Sequence, residues 1–69
     1  MKIINLNSEL HIDEVANAAY LYIYKENKNN KISYSSSLLD ENNSMINIDF
    51  SEKNEIIGIE FIPASKFFK

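Results

Sequence analysis

The chain has 69 residues, 45% of them hydrophobic, with ten acidic side chains against seven lysines, no arginine, no cysteine and a formal charge of -3. That length allows one domain, 1-69 without a linker, burying only about 60% of the surface its unfolded chain exposes, so an unusually good core or a partner chain is expected. An acidic, arginine-free chain lacks the basic footprint and guanidinium forks of duplex recognition, which argues against nucleic acid; the missing cysteines exclude disulfides, thiolate metal sites and cysteine nucleophiles.

Met1 to Asn7 lacks the continuous apolar stretch of a signal peptide, and no run approaches the roughly 20 residues of a membrane span. A cytoplasmic protein with no membrane segment is expected. Lys2 to Leu6 and Leu10 to Ile12 alternate as strands, while Ser8 to Ala19 also suits a short helix with Ser8 as its N-cap. Strand followed by turn is the favoured reading. Tyr20-Leu21-Tyr22-Ile23-Tyr24 is a β-rich run closed by the polar stretch Lys25 to Lys31. Ile32 to Leu39 sets Ile32, Tyr34, Ser36 and Leu38 on one face and Ser33, Ser35 and Ser37 on the other.

The cleanest alternation follows, with Ile46, Ile48 and Phe50 together and Met45, Asn47 and Asp49 turned away. After the polar turn Ser51 to Glu55, a last strand places Ile57, Ile59 and Phe61 on one face until Pro63 terminates it. Gly58, the chain's single glycine, suggests a bulge or a close backbone approach. Short loops between strands predict a mainly β, or small α+β, antiparallel meander of four to five strands, since parallel units need helical crossovers. Leu21, Ile23, Ile46, Ile48, Ile57, Ile59 and Phe61 supply one apolar face. Its cover is the tail Ala64 to Lys69 with Phe67 and Phe68, the N-terminal segment, or a second copy, so a homodimer is a structural option.

Two segments resemble a known family. Asp13-Glu14-Val15-Ala16-Asn17-Ala18-Ala19-Tyr20-Leu21 is similar to the Asp-Pro-Glu-Ala-Asp-Ala-Leu-Tyr-Ile opening of a bacterial family of small proteins, domain of unknown function 2283. The stretch from Asp49 to Ser65, with Ile56-Ile57-Gly58-Ile59-Glu60 and Ala64-Ser65, resembles the family's Asp-Tyr-Asp-x-x-Gly-x-Ile-Val-Gly-Ile-Glu-Ile-Leu-x-Ala-Ser. The resemblance implies a small β-meander with a short C-terminal helical turn, and it brings no catalytic or binding residues. Asn54 stands where the family has a turn glycine and tolerates the same left-handed conformation, while Glu14 replaces a proline and loosens the first turn.

The candidate sites are surface features. Tyr20, Tyr22 and Tyr24 share one side of their strand, as a partner-binding patch or as ordinary cross-strand packing. Asp13 and Glu14 should share one end of the sheet with Asp40 and Glu41, an acidic end that Lys66 and Lys69 blunt. It reads as a docking surface for a basic protein or as solvated loop charge. Glu60 and Asp49, on adjacent strands, are a candidate carboxylate pair, although a single small sheet offers little concavity for a substrate. His11 is the one histidine, without nucleophile-elbow glycines, and suits a surface or edge position. No cofactor or metal is implied. The expectation is a non-catalytic protein-interaction module, in concrete form an acidic immunity or inhibitor protein that neutralises a basic toxin such as a nuclease; the alternative is a homo-oligomeric structural protein.

Overall fold

A computed structural model of the chain describes residues 1–68. Five strands form one sheet: β1 (Glu9–Asp13), β2 (Ala18–Tyr22), β3 (Tyr34–Leu39), β4 (Met45–Phe50) and β5 (Ile56–Ile62). A short 3-10 helix, Lys25–Asn29, follows β2, and a one-turn helix, α1 (Ala64–Phe67), follows β5. The antiparallel sheet and the C-terminal helical turn expected from the sequence are both present. Strand order refines the picture, because it runs β1-β2-β5-β4-β3, with every neighbouring pair antiparallel. β5, the longest strand, therefore sits in the centre, and the stretch containing the 3-10 helix spans the gap from β2 to the far edge.

The three hairpins are built from one local device. An oxygen-bearing side chain opens each turn by accepting backbone N–H groups, and an asparagine in the left-handed region closes it. Asp13 Oδ1 accepts from Val15 and Ala16, and the turn ends at Asn17 with φ 52°. Asp40 Oδ1 accepts from Asn42 and Ser44 around Asn43 (φ 62°), and Ser51 Oγ accepts from Lys53 and Glu55 around Asn54 (φ 64°). Asn54 thus occupies the conformation expected of it. The strand-then-turn reading of residues 8–19 also holds, and Ser8 caps no helix but donates to the Ile23 carbonyl at 2.7 Å.

Register sorts the side chains into rows across all five strands. One row is Leu10, Leu21, Ile59, Ile48 and Ser36, and its neighbour on the same face is Ile12, Ala19, Phe61, Ile46 and Leu38. The row between them, His11, Tyr20, Glu60, Asn47 and Ser37, points the opposite way. α1 covers one end of the apolar face: Phe61 meets Phe67 and Phe68 with ring centroids 5.3 and 5.1 Å away. Asn17 ties α1 to the first turn, since its carbonyl accepts from Ala64 N–H and its side chain bonds Ser65 twice. The buried apolar residues are Ala19, Ile57 and Ala64, and no large side chain is fully buried among the described residues.

Candidate functional site

The polar face is organised around Asp49, which is only 5% exposed in the middle of the sheet. Its partner across to β5 is Gly58, and the register slips between Asp49 and Phe50, so a bulge lies beside it. Gly58 is required here by space. A Cβ on it would lie 2.3 Å from Cε1 of Tyr20 and 2.8 Å from the Leu21 carbonyl oxygen. With hydrogen in that place, the Tyr20 ring crosses over β5 and its hydroxyl donates to Asp49 Oδ2 at 2.6 Å. Ser35 Oγ and Asn47 Nδ2 donate to Oδ1 from the other side, and Ser37 Oγ donates in turn to Asn47. The buried carboxyl group is thereby satisfied by neutral donors from its own sheet, as burial of a polar group demands. Burial pushes the Tyr20 phenol well above its ordinary value, and the carboxylate accepting its proton adds to the shift.

Aromatic and charged groups extend this network toward β1. Tyr20 and Tyr22 are 4.7 Å apart between centroids, and His11 meets Tyr22 edge-on at 5.3 Å. Glu9 contacts His11 at 3.0 Å and pairs with Lys28, and these two partners, Lys28 foremost, hold its carboxyl down at about 2.

The predicted site residues divide into two groups. Tyr20, Asp13, Glu14 and Glu60 come together: with His11 and Ile12 they line a shallow, open depression at one end of the polar face. Tyr22 adjoins it, whereas Tyr24 lies beyond the end of β2 and is exposed at the start of the 3-10 helix. Asp40 and Glu41 occupy the β3–β4 turn at the same end of the sheet, across its width from the depression. Asp40 is already engaged, because Lys66 and the turn N–H groups hold its carboxyl at about 2. Lys66 blunts this end as expected, and Lys69 lies outside the described residues. Glu60 is half-buried opposite Asn47, one step along from the Asp49–Gly58 pair, so the two carboxylates are not directly opposed.

The serine run Ser35 to Ser37 reads from the sequence as the wet side of a strand and Asn47 only as turned with Asp49, yet Ser35, Ser37 and Asn47 build the centre. The available signal was Asn47 and Asp49 turned to one face of a strand whose neighbour carries a lone glycine. Among the described residues, no His, Asp and Glu side chains gather as a metal site, and no helix is long and apolar enough to cross a membrane. Among known proteins, the family described as protein of unknown function (DUF2283) matches residues 10–65. No curated protein and no solved structure matches. The chain belongs to this family.

Proposed function

We propose that this chain is a non-catalytic protein-interaction module whose polar face receives a basic segment of another protein. The observation that carries the reading is the depression whose lining includes Asp13, Glu14, Glu60 and Tyr20. Three carboxylates beside an aromatic ring suit an incoming lysine or arginine, which gains ion pairing at its head and contact with the ring along its stem. A net charge of -3 favours encounter with a basic partner. The non-catalytic part of the reading is supported by the state of Asp49, whose oxygens are both occupied by donors from its own sheet. In concrete form this is a cytoplasmic inhibitor or immunity protein that neutralises a basic toxin such as a nuclease.

The test is co-purification from the native host at low salt, followed by charge reversal. A basic partner should be retained by the unaltered chain and lost from Glu14→Lys/Glu60→Lys, with binding falling steeply as salt rises. Glu41→Lys, at the far turn, should leave retention unchanged. Equal retention by the depression variant, or retention insensitive to salt, overturns the proposal.

A further inference from the structure

The apolar face of the sheet has no second layer within one chain. α1 covers the Phe61 end and Ile57 is buried toward the other, but between them Leu21, Ile46, Ile48 and Ile59 are only half-buried. At the rim, Leu10, Ile12 and Leu38 are 40%, 51% and 66% exposed. The N-terminal segment does little to close the gap, since Ile3, Ile4 and Leu6 are themselves exposed. A sheet with one apolar face is stable only when that face is packed against another layer.

We propose that a second copy of this chain supplies the layer, in a two-fold dimer that packs the two apolar faces against each other. Surface area supports the assignment. The described chain exposes 5433 Å², whereas a compact monomer of its 8.0 kDa mass exposes about 4,500 Å². The excess of roughly 1,000 Å² is comparable to the roughly 800 Å² that each partner buries in a standard interface. Charge selects the occupant. A two-fold contact sets each patch against its own copy, so a charged patch repels itself. The rows of the apolar face carry no charged residue, while Glu9, Asp13, Asp49 and Glu60 are confined to the other face. The apolar face is therefore self-compatible and the polar face is not. A foreign partner would leave the face open between encounters, in a chain whose buried apolar residues, among those described, are Ala19, Ile57 and Ala64.

Analytical ultracentrifugation and melting of the full chain test this. Over about 10 to 500 μM the chain should sediment at twice its monomer mass at the upper end, with a melting temperature that rises with concentration. Leu10→Glu and Leu38→Glu replace rim residues that the monomer already exposes, and together they should weaken association at least about tenfold. Tyr22→Ser, on the polar face, should leave it intact. Shielding of the Ile48 and Ile59 methyls from a paramagnetic cosolute in the unaltered chain provides a readout that needs no variant. A folded monomer throughout the concentration range, or a dimer whose Ile48 and Ile59 methyls stay accessible, overturns the proposal. The partner assay reads retention of a foreign chain and sedimentation reads the mass of this chain alone, so failure of the one and failure of the other are separately visible.

Discussion

Ile48 and Asp49 are neighbours on β4, yet the carboxylate is the buried one and the isoleucine stands half-open. Around Asp49 the polar face is satisfied by Tyr20, Ser35, Asn47 and Ser37, whereas the apolar face is buried at Ala19 and Ile57, packed by α1 at Phe61, and half-open between. The contrast follows from what each kind of group needs. A buried carboxylate demands two or three donors and finds them on adjacent strands of the same sheet. An apolar row demands area, and a sheet cannot fold back to cover itself in so short a chain. The polar face should therefore set the stability of the single chain, and the apolar face its association.

The largest effect expected on the polar face comes from Gly58→Val. The added carbons would overlap the Tyr20 ring and the Leu21 carbonyl, and the backbone contact cannot yield by a rotamer change. A loss of about 3 kcal/mol is expected in urea melts at fixed chain concentration. Ile59→Ala, beside it in β5 but on the half-open face, should cost less than the 2–5 kcal/mol or so of a fully buried isoleucine. If Ile59→Ala costs more than Gly58→Val, the ranking of the two faces is reversed.

Asp49→Ala comes next, at about 2 kcal/mol, because it strands the half-buried Tyr20 and Asn47 donors and frees Ser35. Tyr20→Phe should cost only about 1 kcal/mol, since the carboxylate keeps two donors while the ring still covers Gly58. A double-mutant cycle between Asp49→Ala and Tyr20→Phe should show coupling, and additive losses would mean that the hydroxyl contact contributes nothing.

Much of this sheet was legible in the chain. Alternation from Met45 to Phe50 separated the two faces, polar runs located the turns, and the left-handed role of Asn54 followed from its residue type. Two features were not legible. The insertion of β5 between β2 and β4 depends on long-range pairing that no local period encodes. The use of Gly58 depends on a ring from another strand, so the sequence could mark the glycine as special without naming Tyr20 as the reason. The depression was half visible, because Asp13 and Glu14 were expected at one end, while Glu60 joins them only through its register with Tyr20.

Titration separates the faces at high pH. Tyr20 has its phenol pKa raised in the folded chain, so its contribution is fully present below the unfolded value near 10 and is lost as pH rises through the higher folded value. Stability should therefore fall in alkali, and Tyr20→Phe should flatten that fall. An alkaline limb that is identical in the variant would assign it to other groups.

The smallest effect concerns the helix that covers the Phe61 end of the apolar face. Lys66 of α1 pairs with Asp40 and donates to Ser44 Oγ at 2.8 Å, which pins the helix to the β3–β4 turn. The folded Asp40 carboxyl sits at about 2, below an unfolded value near 4, so this contribution is present above about pH 4 and is lost as pH falls toward 2. Both side chains are substantially exposed and the pair is screened by salt, so the effect should be well under that of Asp49→Ala. Lys66→Met should remove part of the acid limb of a stability–pH curve at low salt and leave neutral-pH dimerisation nearly unchanged. If instead the variant weakens association as strongly as Leu10→Glu/Leu38→Glu, then α1 itself belongs to the dimer contact, and the helix is part of the second layer rather than a lid at its edge.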